Sequence, residues 1–361
     1  MLSRLRAAAQ VLRPRALART AKSVEDLTAE SQQLRRAMKE TLAESARLAE
    51  RSERLESSVR GLEQSLASVA LRESQLSAIY RLDRQLENDV AGLPAVLDVG
   101  AIAAHTQRVL NEATLHMHPF PHLVVDNVWP EPFYDALLKG IPPAELFADR
   151  PINKRRLVVP FDWSHQYGAR VWNFLVQEVL DRVVAPVLVQ KFKQPLGTWL
   201  LANWPLPADA PTEHVKFQST DGRILLRHRG YMIPPHRDPK WGLITCLMYL
   251  AKPGDSEAWG TQLYSVEGDV EAPSVAAYWI KAERCRLEKD VPFRRNSMLI
   301  FLNSAGAHGA RIPMEAEPPD LERYMYQFRV GPTASSIRKL MRMLPEERQG
   351  LWAGKVITEY N

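Results

Sequence analysis

Cysteine is nearly absent. The chain has two in 361 residues, Cys246 and Cys285, and two thiols without a C-x-x-C spacing supply neither a disulfide framework nor a thiolate zinc site. That scarcity points to a reducing, cytoplasmic compartment. Long apolar runs are missing too: no stretch approaches the roughly 20 residues that span a bilayer, and the basic start lacks the apolar segment and cleavage site of a secretory signal. Charge of one sign is not in excess, since 47 Lys and Arg against 42 Asp and Glu leave a net charge of +5. So mild a balance argues against nucleic-acid binding by the protein as a whole. Proline does not occur between Pro14 and Pro94, and Gly61 is the lone glycine from Ser23 to Asp89. A stretch so poor in helix breakers can run as one long helix.

That stretch contains a heptad row. With Leu27 at position d, Leu34, Leu48, Leu55, Leu62, Val69 and Leu76 follow at sevens, broken by Thr41. The a positions are mixed: Val24, Met38, Val59 and Leu66 are apolar, whereas Ser31, Ser45, Ser52 and Glu73 are not. Such a seam predicts a coiled coil of modest stability and hence a homo-oligomer. The alternatives are a solitary helix laced by Glu/Arg pairs or a helix folded back on the rest of the chain. Past Leu76 the register fails, and Ile79, Leu82 and Leu86 continue at helical spacing, where packing on something globular should begin. Ahead of the helix, residues 1–22 carry Arg4, Arg6, Arg13, Arg15, Arg19 and Lys22 with no acid. This basic arm, interrupted by Pro14, reads as poorly ordered and could make weak contact with an anionic membrane surface.

The length suits about two domains. After the helix, taken as 23–90, a linker with a short helix (91–118) leads to a β-rich domain (119–335) and a C-terminal helical segment (336–361). A strand is expected over Leu123 to Asp126, a proline-initiated helix over Glu131 to Lys139, and a core-facing helix from Ala169 to Val184 ended by Pro186. Strands should begin near Gly197 with TWLLANW. They continue through GRILLRH, Leu243 to Leu250, TQLYSV, SMLIFLN, His308 to Ile312 and RYMYQFRV. Many short strands punctuated by Gly, Pro and Asn read as a jelly roll, so the expected class is α+β. Ile337, Leu340, Met341 and Leu344, then Leu351 and Trp352, suggest one or two helices over an outer face.

The chemistry concentrates in RGYMIPPHRDPKWGLITCLMYL, Arg229 to Leu250. His236 and Asp238 stand two apart, and in extended backbone such residues share a face. An imidazole and a carboxylate together are two-thirds of the 2-His-1-carboxylate triad that holds non-haem Fe(II) and leaves coordination positions open. His308, after the apolar strand Ser297 to Leu302 and a Gly/Ala/Ser turn, is the candidate third ligand. Fifteen residues further on, Arg323 opens RYMYQFRV. Alternation puts Arg323, Met325, Gln327 and Arg329 on one side and Tyr324, Tyr326, Phe328 and Val330 on the other. A polar line under an apolar layer suits a barrel that holds a charged ligand, and Arg323 offers a planar fork for a carboxylate.

In that order, Tyr231, His236-x-Asp238, Thr245 to Leu250, Trp259-Gly260-Thr261-Gln262-Leu263, His308 and Arg323-Tyr324 resemble the Fe(II)/2-oxoglutarate-dependent dioxygenases, in particular the prolyl-hydroxylase-like branch. The resemblance covers roughly Pro119 to Pro332. It implies a double-stranded β-helix, a jelly-roll catalytic domain with bracing helices. It also implies Fe(II) on His236, Asp238 and His308, with 2-oxoglutarate as cosubstrate alongside O₂, and hydroxylation with release of succinate and CO₂. By position Arg323 and Tyr249 would take the far carboxylate of 2-oxoglutarate, with Gln327 and Tyr231 as further cofactor contacts. Two departures stand out: Trp259-Gly260 replaces a frequent Gly-Gly pair, and the insert Met314 to Asp320 lengthens the spacing from His308 to Arg323. Arg311 and Arg329 are rival carboxylate anchors.

Other residues carry weaker readings. His118 and His122 read as structural or surface residues. His214, Arg227, His228 and Arg229 are placed near the barrel mouth, with His228 an alternative ligand, and Lys240, Trp241 and Arg311 are rim candidates. The substrate class stays open between a small molecule and a peptidyl side chain. Two other functions compete: a coiled-coil scaffold carrying a non-catalytic ligand-binding barrel, and a cupin-type metal enzyme that does not use 2-oxoglutarate.

Overall fold

The computed structural model describes residues 2–150, 154–157, 159–238, 241–269, 279–303 and 305–353, and the chain divides into two units, 1–73 and 74–361. The first is helical: α1 (Leu2–Val96) begins in it and passes Pro14 unbroken. A single proline removes one i→i−4 bond, which a helix of this length tolerates. Along this unit Leu27, Leu34, Leu48, Leu55, Leu62 and Val69 are all exposed.

In the second unit the last turns of α1 change character. Ala78, Leu86 and Leu93 are buried, and Leu86 and Leu93 join the main core, as the loss of heptad register past Leu76 predicts. The chain then forms α2 (Val99–Glu112), β1 (His122–Asp126), α3 (Glu131–Lys139), β2 (Phe147–Arg150), β3 (Lys154–Leu157) and α4 (Gln166–Phe174). Asp98 caps α2 by accepting from the amides of Gly100 and Ala101, satisfying donors that a helix start leaves open.

From α4 the helix runs through a π-helical stretch, Leu175–Val184, into α5 (Ala185–Lys191). It therefore does not stop at Pro186. The wide turn lets Ala185 donate to the carbonyl of Leu180, five residues back, and Pro186 falls in the first turn of α5, where a missing N–H costs least. The segment TWLLANW is not a strand either: α6 (Lys193–Asn203) takes in all of it but Trp204, which caps the helix end. Its buried positions include Leu196, Trp199, Leu200 and Asn203, a three-and-four spacing that short apolar runs share with strands.

Strands follow: β4 (Phe217–Arg227), β5 (Met232–His236), β6 (Ile244–Tyr249), β7 (Thr261–Val266), β8 (Cys285–Val291), β9 (Ser297–Leu302), β10 (Ala307–Arg311) and β11 (Arg323–Pro332), then α7 (Ala334–Met343) and α8 (Glu346–Ala353). Among the described residues they make two antiparallel sheets, ordered β1-β9-β6-β11-β4-β3-β2 and β5-β10-β7-β8. The result is a mixture of helix and antiparallel sheet. One face of the larger sheet is covered by helices: Ile224, Leu226, Cys246, Met248, Tyr326 and Phe328 share a core with residues of α2 to α6. Its other face meets the smaller sheet, where Leu225, Leu247, Tyr249, Leu299 and Met325 pack with Leu263 and Val291. Each such fully buried aliphatic or aromatic side chain contributes about 1.5–3 kcal/mol relative to exposure. Among the described residues no helix is long and apolar enough to cross a membrane.

Candidate metal centre

The smaller sheet brings the sequence-distant candidate ligands together. His236 closes β5, Asp238 lies two residues beyond, and β10 pairs with β5 so that His308 stands directly opposite His236. The ring centroids of the two histidines are 4.1 Å apart. One donor atom from each of His236, Asp238 and His308 lies within 4.8 Å of the others, and all three side chains are buried. Among the described residues this is the one such cluster.

Neighbouring groups fix both the orientation and the charge of the three. The ring of His236 hydrogen-bonds through Nδ1 to the carbonyl of Pro234 at 2.9 Å, which assigns the proton to Nδ1 and the lone pair to Nε2. Asp238 accepts from Thr245 Oγ1 at 2.6 Å on Oδ2 and from Arg329 Nη2 at 2.7 Å on Oδ1. Its backbone is clamped by Asn303, whose Oδ1 accepts from the Asp238 amide and whose Nδ2 donates to the Asp238 carbonyl. Arg237, between the two ligands, turns away to Asp269 at 2.5 Å. Burial alone would raise the Asp238 pKa, but Arg329, His308 and His236 together hold it below the usual carboxylate range. Burial pushes His308 down to about 3 and lowers His236 as well. At neutral pH the set is therefore one carboxylate and two neutral imidazoles, the protonation states that metal binding requires.

A cavity of about 290 Å³ opens on this cluster. Tyr231 and Gln327 line it, as does Arg227, which lies over the Tyr231 ring at 4.7 Å. Leu225, Ile233 and Leu247 supply apolar wall. Arg323 and Tyr249 are not among the lining residues; both meet the Phe293 ring, at 4.5 and 5.1 Å. Arg323 is 1% exposed, and none of its three guanidinium nitrogens has a hydrogen-bond partner among the described residues. A buried cation left in that state costs several kcal/mol. Tyr249 donates to Thr261 Oγ1 at 2.8 Å, and burial pushes its pKa up to about 12, which keeps it a donor.

The alternation read along β11 holds. Tyr324, Tyr326, Phe328 and Val330 face the helices, while Met325 sits between the sheets and Gln327 and Arg329 line the cavity. Arg329 is bound to Asp238 and Arg311 is exposed, so neither competes with Arg323 in burial without a partner. His228 and His214 do not join the ligand cluster, and neither they nor Arg229 line the cavity. Trp241 is no rim residue: it packs against Trp204 and Trp352. Lys240 lies outside the described residues. His122 is buried, with Nδ1 bonded to the Phe120 carbonyl, and His118 faces Glu288 at 3.3 Å. Arg150, Lys154, Arg156 and Arg223 also line the cavity and were not legible beforehand, because the short strands β2 and β3 that carry three of them have no apolar alternation. The basic run Lys154-Arg155-Arg156 was the available signal.

No family model matches the chain, and no curated protein does. Among solved structures it is similar to HygX from Streptomyces hygroscopicus with nickel, 2-oxoglutarate and hygromycin B bound, at 15% identity over 59% of this chain and 83% of that one, TM-score 0.35. It is similar to a prolyl hydroxylase from Trichoplax adhaerens in complex with a hypoxia inducible factor peptide, at 12% identity over 67% and 93%, TM-score 0.34. A Pseudomonas putida prolyl-4-hydroxylase is similar at 11% identity over 64% and 100%, TM-score 0.33.

Proposed function

We propose that residues 119–335 form a 2-oxoglutarate-dependent non-haem iron dioxygenase, a hydroxylase on a double-stranded β-helix. One observation carries the reading: a buried carboxylate and two neutral imidazoles converge within 4.8 Å, while the fully buried Arg323 guanidinium, against the Phe293 ring, has no hydrogen-bond partner among the described residues. Two nitrogens and one oxygen offered from one side are the donor set suited to ferrous iron with open positions. When bound, Fe(II) with 2-oxoglutarate and O₂ would supply oxidative decarboxylation coupled to hydroxylation of a C–H bond, releasing succinate and CO₂.

The chain's own residues bind and orient. His236 is held in one tautomer by Pro234, and Asp238 is steadied by Thr245 and Arg329. Arg323 would pair with the far carboxylate of 2-oxoglutarate through its planar fork, with Tyr249 as a neutral donor beside it. Leu225, Ile233 and Leu247 keep part of the cavity dry, which strengthens charge interactions inside it. A cupin-type enzyme that does not use 2-oxoglutarate, or a ligand-binding barrel without turnover, leaves the Arg323 site unexplained. The test is to supply the full chain with Fe(II), 2-oxoglutarate and O₂ and to measure succinate. Its formation, lost in Arg323→Ala and His308→Ala, supports the reading; 2-oxoglutarate left intact in the parent chain refutes it.

The exposed leucine row of α1 supports a second element of this reading, self-association of residues 23–73 through a coiled coil. Leu27, Leu34, Leu48, Leu55 and Leu62 fall on one row of sevens, interrupted at Thr41, which sets one apolar seam along the helix, and a second copy of the same seam would cover it.

A further inference from the structure

The cavity wall away from the metal ligands is basic. Arg150, Lys154, Arg156, Arg223 and Arg227 line it, and among the described lining residues Asp238 is the one acid. Strand pairing sets Arg150 opposite Lys154, Lys154 opposite Arg227, and Arg227 opposite Arg323. Four cations thus lie in one row across β2, β3, β4 and β11, although like charges directly opposite destabilise a sheet. The neighbouring Arg155 has its acid, Asp149 at 3.1 Å. Among the described residues no carboxylate pairs with Arg150, Lys154, Arg156 or Arg227. Burial first, and then Arg227 and Arg223 against the opposing pull of Asp238, bring Lys154 down to about 8.

Nothing in the proposed iron site absorbs this charge. Asp238 already pairs with Arg329, and a divalent metal adds positive charge. Of the two carboxylates of 2-oxoglutarate, one belongs to the metal and the other to Arg323. The wall from β2 to β4 is left over, and a monoanion would relieve only part of its repulsion. Guanidinium forks and an ammonium converging on one cavity match the several oxygens and the double charge of a phosphate.

We propose that Lys154, Arg156 and Arg227, with Arg150 at the edge, bind a phosphate group of the substrate, so that the compound hydroxylated is a phosphorylated small molecule. The identity of that compound as a substrate rests on the dioxygenase reading; the anion site itself does not.

The full chain, freed of metal, is titrated with pyrophosphate and with inorganic phosphate, and at matched ionic strength with citrate and with chloride, while thermal unfolding is followed. The expected result is a saturable rise in unfolding temperature with pyrophosphate, at a midpoint at least about tenfold below that of citrate, equivalent to ~1.4 kcal/mol. Lys154→Ala/Arg156→Ala should lose that rise yet still bind Mn(II), followed by its electron paramagnetic resonance signal, and 2-oxoglutarate with the parent's midpoints. If the double variant does not fold, Lys154→Gln alone should raise the pyrophosphate midpoint several-fold. No saturable rise, an equal response to citrate, or a rise that survives the substitutions overturns the proposal. Loss of 2-oxoglutarate binding in the double variant also overturns it, by assigning the wall to the cosubstrate. A parent chain that binds pyrophosphate but no Mn(II) sinks the dioxygenase reading and leaves the phosphate site standing.

Discussion

Arg329 Nη2 donates to Asp238 Oδ1 at 2.7 Å, and each side chain of the pair is only 3% exposed. The guanidinium thereby holds one of the candidate metal ligands ionised and in place. Removing one partner of such a pair strands the other in a dry interior and costs about 3–5 kcal/mol. Arg329→Met should destabilise the metal-free chain by that order, and Mn(II) should restore part of the loss by taking over the stranded carboxylate. Urea denaturation with and without Mn(II) checks both; a variant as stable as the parent would show that the pair does not hold the site.

Arg323 should behave in the opposite way. Its guanidinium is buried without a hydrogen-bond partner among the described residues, so Arg323→Met relieves an uncompensated charge and should leave the ligand-free chain as stable as the parent or more so. Binding of 2-oxoglutarate should weaken by about 2 kcal/mol or more, the value of a charge-assisted pair. Thermal unfolding paired with 2-oxoglutarate titration in the presence of Mn(II) separates the two effects. Lost stability with unchanged 2-oxoglutarate affinity would mean that Arg323 is structural.

Acid should unfold this protein through its buried histidines. Burial pushes His122 down to about 4, with Lys289 adding to the shift, so the folded chain resists a proton that the unfolded chain takes up near 6.5. A depressed histidine pKa therefore means stability that is complete above about 6.5 and is lost as pH falls towards 4, with no further loss below. Replacing His122 by Asn should flatten the pH dependence of stability in that window by one proton. Urea denaturation across pH 4 to 7 measures the slope, and an unchanged slope would place His122 outside the linkage.

Self-association has its own test. Leu48→Lys, Leu55→Lys and Leu62→Lys together put charge into the apolar seam without touching residues 74–361. Sedimentation equilibrium should show the parent chain as an oligomer and the triple variant as a monomer. A monomeric parent at tens of micromolar would remove the coiled coil from the account.

The site was more legible in the sequence than parts of the fold around it. His236, Asp238 and His308, which the structure brings together, could be singled out because metal ligation calls for particular side chains at spacings that few other demands impose. TQLYSV could be read because one face is buried more fully than the other, and RYMYQFRV because polar and aromatic residues alternate along it although both faces are buried. TWLLANW could not, since buried helices and buried strands use the same apolar letters. Strands β2, β3 and β8 were missed because they are short or rich in charge: FADR, KRRL and CRLEKDV owe their extended form to pairing with neighbours, not to their own pattern. The partners of Asp238 were likewise hidden, since Thr245 and Arg329 reach it only once β6 and β11 lie side by side.

The most direct test of the central claim is metal stoichiometry. Titrating the metal-free full chain with Mn(II), and following free ion by its electron paramagnetic resonance signal, should give one ion per chain. The site should be lost or severely weakened in His236→Ala, Asp238→Ala and His308→Ala alike. A parent chain with no stoichiometric site, or a His308→Ala variant that binds as tightly as the parent, would contradict the account.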